Sequence, residues 1–216
     1  MELIERARLR TSYFMNIYLN FIVKRLLDVL VSSILLLTLS PLLLIIAYRL
    51  FKHEGRPIIF KEPRIGKDKR LFIMYTFRIK TPPRQLIQAL PPYPAPDNWR
   101  YGVPDSFKFL RDESFYTEIG LTLKKYKLHR LPCLFNVLKG DMSLVGPKPE
   151  HPEIAECFNR HQANRLKVRP GLTGYAQLNL PNTAGYDDFI KADLHYISQQ
   201  SLFFDLKILY QRLLQK

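Results

Sequence analysis

The 216-residue sequence predicts an α/β domain carried by a re-entrant, proline-broken membrane helix and accompanied by amphipathic interfacial helices. Three observations predict it. Leu26 to Tyr48 (LLDVLVSSILLLTLSPLLLIIAY) is a 23-residue apolar run whose one charge is Asp28. Two short strand-like stretches follow, 56–62 (RPIIFKE) and 71–79 (LFIMYTFRI), with the compact charged turn IGKDKR between them. The C-terminal half then alternates amphipathic helical patterns with loops rich in glycine and proline.

Composition narrows the function classes. Hydrophobic residues make up 47% and charged residues 24%, which excludes wholesale disorder. Lys and Arg number 33 against 19 Asp and Glu, a formal charge of +14 that favours polyanions: nucleic acid, anionic lipid or phosphorylated substrates. The surplus surrounds an apolar segment, so an anionic leaflet explains it more simply than nucleic acid does. Cys133 and Cys157 form neither a disulfide framework nor a metal-ligand pair at short spacing, and a reducing compartment suits them. No G-x-G-x-x-G, Walker loop or H-E-x-x-H is present.

The apolar run would reach about 34 Å as helix, enough for the hydrocarbon layer. It is too long for a signal peptide and no small-residue cleavage site follows it. A buried core helix is the alternative to insertion. Before the run stand Arg6, Arg8, Arg10, Lys24 and Arg25; after it, residues 49–70 hold eight Lys or Arg against Glu54, Glu62 and Asp68. The positive-inside rule therefore asks for both flanks on the cytoplasmic side. A helix that bends and returns satisfies that, and Ser40-Pro41 supplies the interruption, since proline lacks an N–H and clashes with the preceding turn. The Ser40 hydroxyl can serve a carbonyl so freed. A kinked span is the second reading. Lys24, Arg25 and Asp28 are expected at interfacial depth, with Asp28 paired to one of the two cations.

Three regions follow: a basic N-terminal arm over 1–20, the re-entrant membrane helix over 21–50, and a cytoplasmic domain over 51–216. Seven of the sixteen prolines fall in 81–105, an irregular segment. Leu131 to Leu138 reads as a short helix with Pro132 in its first turn and Gly140 as its breaker. DMSLVGPKP and PGLTG read as loops, Pro152 to Lys167 as one amphipathic helix, and 187–198 and 201–214 as two more.

Among the polar residues, Asp141 beside Gly140 reads as capping or closing a turn. Lys148, stiffened by a proline on each side, suits a phosphate or is a solvated cation. Arg165, Lys167 and Arg169 precede Pro170-Gly171 and could gather a diphosphate, or form a basic face on anionic lipid. Arg78 is a supporting candidate. The five histidines show no spacing that compels a metal site.

These pieces together resemble the bacterial sugar transferases, the small monotopic phosphoglycosyl transferases that start assembly of lipid-linked glycans. The resemblance runs over roughly residues 20–210. It is carried by Lys24-Arg25-x-x-Asp28, Ser40-Pro41, Gly55-Arg56-Pro57, Arg64-Ile65-Gly66, Phe77-Arg78, and most specifically GDMSLVGPKP at 140–149 and PGLTGYAQ at 170–177. It implies a protein on the cytoplasmic face of the bacterial inner membrane. Such a protein moves a sugar 1-phosphate from a nucleotide diphosphate sugar to polyprenyl phosphate, with Mg2+ assisting and an aspartyl phosphosugar intermediate.

The chain departs from that pattern where the chemistry would be. The family's nucleophilic Asp and adjacent Glu correspond to His129 and Arg130 in KLHRLPC, its glutamine before Pro63-Arg64 to Glu62, and its lysine before Phe77-Arg78 to Thr76. The attacking carboxylate is gone, and the formal charge of the pair moves from −2 to about +1. The expectation is a catalytically impaired homologue that binds polyprenyl phosphate or a nucleotide sugar, alone, as a homo-oligomer, or beside an active transferase. The alternative that the resemblance leaves is a transferase with His129 as the phosphosugar acceptor and Mg2+ as cofactor, Asp141 being the surviving candidate for a metal ligand.

Overall fold

The computed structural model describes residues 21–81, 99, 101–107, 116–181 and 183–215. The expected arm over 1–20 and most of 81–105 lie outside the described residues.

Helix α1 (Phe21–Thr38) and helix α2 (Ser40–Glu54) meet at a bend of 61°. Among the described residues no single helix is long and apolar enough to cross a membrane; this bent pair is, as two limbs taken together. The bend falls where the sequence places it. Pro41 has no N–H to give the carbonyl of Leu37, and Ser40 Oγ donates to that oxygen at 2.8 Å instead. One turn earlier Thr38 Oγ1 donates to the Ile34 carbonyl at 2.9 Å. Leu26, Leu30, Leu37, Leu44 and Ile45 stay exposed along the two limbs, leaving a continuous apolar surface for lipid.

The membrane helix is tied into the domain at its first turns. Asp28 does not pair with Lys24 or Arg25, as the local spacing suggested. Lys24 forms a short ion pair with Asp205 and donates to the Val145 carbonyl at 3.1 Å. Arg25 donates to the carbonyls of Val137 and Leu138 at 2.6 and 2.7 Å. Asp28, 4% exposed, accepts from the Leu144 N–H at 3.0 Å. All three side chains face partners more than a hundred residues away, which i−4 spacing cannot report.

Strands β1 (Ile59–Ile65) and β2 (Leu71–Phe77) form an antiparallel pair, Ile59 opposite Phe77 and Ile65 opposite Leu71. Helix α3 (Glu118–Lys125), capped by the Thr117 side chain, leads through a 3-10 turn (Leu128–Arg130) into helix α4 (Cys133–Lys139). Asn136 on α4 is fully buried and acts like a strand edge: its Oδ1 accepts from Tyr75 N–H at 3.0 Å and its Nδ2 donates to the Ile73 carbonyl at 2.6 Å. Gly140 ends the helix at φ 93°, and a Cβ there would stand 3.2 Å from Arg25 Nη2.

The two motif loops turn out to contain strands. β3 (Ser143–Val145) and β4 (Gly171–Thr173) pair in parallel, with Ser143 opposite Gly171 and Val145 opposite Thr173. Each is three residues long and lined by glycine and proline, too short to show a period. The helix expected over Pro152 to Lys167 is broken into α5 (Pro152–Glu156), α6 (Arg160–Ala163) and a 3-10 turn (Asn164–Lys167). Asn159 causes the break, forming a capping box with Gln162. Short helix α7 (Tyr175–Asn179) precedes the long helices α8 (Tyr186–Ser198) and α9 (Leu202–Leu214). The main core gathers Leu134, Val137, Met142, Val145, Tyr196 and Ile208, with Val31 and Leu35 of the membrane helix packed against it.

The re-entrant arrangement expected from the two basic flanks requires both flanks on one side. Single cysteines introduced at positions 10 and 70 in a Cys-free chain are expected to resist a membrane-impermeant thiol reagent equally in intact cells. Labelling of one alone marks a span. Pro41→Leu, which restores the backbone donor and removes the clash, is expected to shift molecules toward one-sided labelling.

Candidate functional site

The 3-10 turn Leu128–Arg130 sets His129 and Arg130 between α3 and α4, after Lys127 in a left-handed conformation at φ 59°. β2 packs against it, and the charges that act at the turn come from Glu62 and Arg64 of β1, Lys148 of the loop 148–151 and Arg212 of α9. The loop is pinned to the end of β1 by the Ile65 N–H on the Glu150 carbonyl at 2.9 Å and by Arg64 Nη1 on the Pro149 carbonyl at 3.3 Å.

His129 is partly buried, with Nδ1 3.3 Å from the Leu123 carbonyl. Donation from Nδ1 leaves the lone pair on Nε2. Burial, then the neighbouring Arg130 charge, pushes the imidazole down to about 4, so the ring is neutral at physiological pH. Arg130 itself is lowered by burial and by Arg64 and Arg212, with Glu62 acting in the opposite sense. Among the described residues its guanidinium makes no salt bridge. Cys133, next along the turn, donates to the Tyr75 carbonyl at 3.1 Å, and burial raises its thiol to about 12, which rules it out as a nucleophile near neutrality.

The carboxylates are engaged elsewhere. Glu62 Oε2 binds Arg64 Nη2 at 2.7 Å. Glu150 and Asp193 bind Arg165 at 3.0 and 2.7 Å, and Tyr186 Oη donates to the same Glu150 oxygen at 2.9 Å. Burial raises Asp193 to about 6, partly offset by Arg165. Lys148 is lowered to about 8 by burial and by Arg64, Arg130 and Arg165, against the pull of Glu150. His151 is driven down to about 3 by burial and Arg64, so it too is neutral.

The expected ligand set therefore divides. Lys148 and Arg130 share one electrostatic neighbourhood. Arg165 lies beside them but is 4% exposed and enclosed by its two carboxylates, so it braces the site from inside. Arg169 is not with them: its guanidinium lies 5.3 Å from the Phe21 ring and its charged neighbours are Arg25 and Asp28, at the foot of the membrane helix. Arg78 is likewise committed, donating to the Glu54 carbonyl at 2.6 Å and the Arg56 carbonyl at 3.2 Å and so closing the C-terminus of α2. Glu62, Arg64 and Arg212 were not singled out as ligands from sequence. The exchange of glutamine for Glu62 opposite a new Arg130 was the available signal.

The Mg2+ that the resemblance implies finds no matching donor set. Among the described residues no three His, Cys, Asp or Glu side chains converge to hold a metal. Asp141, the first metal candidate that the resemblance offers, sits past the end of α4, where its Oδ2 is 3.3 Å from Asn136 Nδ2, and the lesser candidates Glu150 and Asp193 are both bound to Arg165.

The neutral His129 has a consequence for stability. Its pKa is about 4 when folded and 6.5 ordinarily, so the stabilisation is present above 6.5 and is lost as pH falls toward 4. Thermal melts of the full chain are expected to decline more steeply over that interval than melts of His129→Gln. Equal slopes contradict the buried neutral imidazole.

Comparison with known proteins agrees with this architecture. The model of the bacterial sugar transferase family matches residues 19–215. The chain is 34% identical over 188 residues to the uncharacterized sugar transferase EpsL of Bacillus subtilis, covering 87% of this chain and 84% of that one. It is 34% identical over 194 residues to the galactosyl transferase CpsE of Streptococcus agalactiae, covering 89% of this chain and 41% of CpsE. It is also 34% identical over 191 residues to the undecaprenyl-phosphate galactose phosphotransferase of Salmonella typhimurium, covering 87% of this chain and 39% of that protein. The chain thus spans about two fifths of the length of these last two. With its bent apolar helix pair and mixed α/β domain, it belongs to the bacterial sugar transferase family, a membrane-associated family of lipid-linked glycan biosynthesis.

Proposed function

We propose that this chain is a ligand-binding member of its family that has lost the usual transfer chemistry. It would work on the cytoplasmic face of the bacterial inner membrane, against anionic lipid. There it would hold polyprenyl phosphate or a nucleotide diphosphate sugar, as a homo-oligomer or beside an active transferase. One observation carries the reading: the turn that should offer two carboxylates offers His129 and Arg130, backed by Arg64 and Lys148. An acyl phosphate requires a carboxylate oxygen to attack phosphorus, and none stands on that turn. Glu62 cannot take over while it holds Arg64 at 2.7 Å. Arg130 nevertheless puts a guanidinium on the turn, which supports a reading in which phosphate binding outlives transfer.

The second reading has its own observation. His129 is neutral, and donation of Nδ1–H to Leu123 leaves Nε2 with a lone pair. In that reading Nε2 attacks the phosphorus next to the sugar. A P–N bond forms, the P–O bond to the nucleotide breaks, and nucleoside monophosphate leaves with the electron pair. An oxygen of polyprenyl phosphate then displaces Nε2. Arg130 would stabilise the phosphoryl oxygens.

Full chain in nanodiscs, given polyprenyl phosphate and a panel of nucleotide sugars, is expected to release no nucleoside monophosphate above a protein-free blank. His129→Asp with Arg130→Glu is expected to raise release in the presence of Mg2+, and each change alone to leave it at the blank, because each leaves one role vacant. Release by the unmodified chain that disappears in His129→Ala favours the second reading and contradicts the first.

A further inference from the structure

We propose that Lys67 and Arg169, gathered on the Phe21 ring at the foot of the membrane helix, form a contact site for the phosphates of anionic phospholipids. This inference rests on the reading of anionic lipid as a partner of the chain and assigns that contact to residues. Lys67 Nζ lies 4.8 Å from the centre of the Phe21 ring and Arg169 Cζ lies 5.3 Å from it, so the two charges are at most about 10 Å apart. The ring attracts each cation through its quadrupole and leaves the charge in place, where a carboxylate would cancel it.

The position of the ring points to lipid. On α1, Ile22, Leu26, Leu30 and Ile34 recur every four residues and are all exposed, so they form one outward apolar stripe. Phe21 is exposed beside the first of them, whereas Arg25, one turn further along its own row, reaches back to the carbonyls of Val137 and Leu138. The ring therefore stands on the border between the lipid-facing stripe and the domain, and an aromatic at such a border suits the headgroup zone. A soluble anion would make no use of that continuity.

The charge count has the same sense. Lys67 lies on the 3-10 turn Lys67–Lys69, which packs against the 3-10 turn Asn164–Lys167. Lys69, Arg70 and Lys167 thus border the pair and are exposed, and Arg25 acts on Arg169 as well. Two acids oppose these six cations. Asp68 is 63% exposed and 4.0 Å from Lys67, a loose surface pair that solvent and salt weaken. Asp28 acts on Arg169, but it is buried and already accepts the Leu144 N–H. With both acids counted in full, the cations still exceed them by four.

The test is native mass spectrometry of the full chain released from nanodiscs of equimolar phosphatidylcholine and phosphatidylglycerol with matched acyl chains. The readout is the ratio of the two lipids that stay bound. The unmodified chain is expected to prefer phosphatidylglycerol, and raising ammonium acetate tenfold is expected to weaken the preference. Lys67→Gln with Arg169→Gln is expected to lower it by about fivefold, Phe21→Leu by a smaller factor, and Lys67→Arg with Arg169→Lys to keep it. Melting temperature verifies that each variant is folded. A preference unchanged in the folded double glutamine variant, or indifferent to salt in the unmodified chain, overturns this inference and leaves anionic lipid as a partner held elsewhere. Equal retention of the two lipids by the unmodified chain overturns the anionic-lipid reading itself.

Discussion

The ion pair between Lys24 and Asp205 is the contact on which the arrangement depends. It joins the first turns of the membrane helix to the start of α9, and Tyr196 of α8 closes it by donating to Asp205 at 2.7 Å. Side-chain exposure is only 15% for Lys24 and 8% for Asp205. Removing one charge from such a pair leaves the other buried, at a cost of about 3–5 kcal/mol. Two further bonds extend the attachment. Arg25 satisfies the carbonyls at the end of α4, and Asp28 satisfies the outer edge of β3, whose other edge is paired to β4. The membrane helix is thus a structural part of the sheet and of the helix that carries the site turn.

That attachment explains how the scaffold tolerates a change in chemistry. The foot of the bent helix pair, the α4–β2 join through Asn136 and the β3–β4 pair are built from residues that match the family pattern. They do not use His129 or Arg130. The site turn is therefore free to change sign while the fold persists. The change is compensated locally, because Arg130 would otherwise add an uncancelled charge beside Arg64, and Glu62 now neutralises that arginine. The turn itself carries its positive charge on Arg130.

Much of the fold was legible in the sequence because its signals are local. Ser40-Pro41 marks the bend by a missing donor, and the Ser40 hydroxyl bond is a direct consequence. The strands around IGKDKR and the helices over 187–198 and 201–214 follow from periodicity over many residues. What escaped is either short or distant. β3 and β4 are buried three-residue strands whose composition reads as loop. Asn159 breaks a helix whose apolar stripe continues past it. At the site, sequence adjacency suggested that Arg165, Lys167 and Arg169 act together, but only tertiary structure reveals that Arg165 turns inward to Glu150 and Asp193 while Arg169 turns to the membrane foot. Charge type can be read from a sequence; which opposite charge lies within 3 Å cannot.

A site that holds a phosphate without transferring it predicts that the protein stays chemically unaltered by its ligand. The direct measurement is the mass of the full chain after incubation with a nucleotide diphosphate sugar. It is taken once under native conditions and once after denaturation at mildly alkaline pH, where a P–N bond survives. The account predicts added ligand mass in the native spectrum and the unmodified mass after denaturation. A persistent gain of one sugar phosphate, mapped to His129 and absent in His129→Ala, would contradict it and make the imidazole a nucleophile.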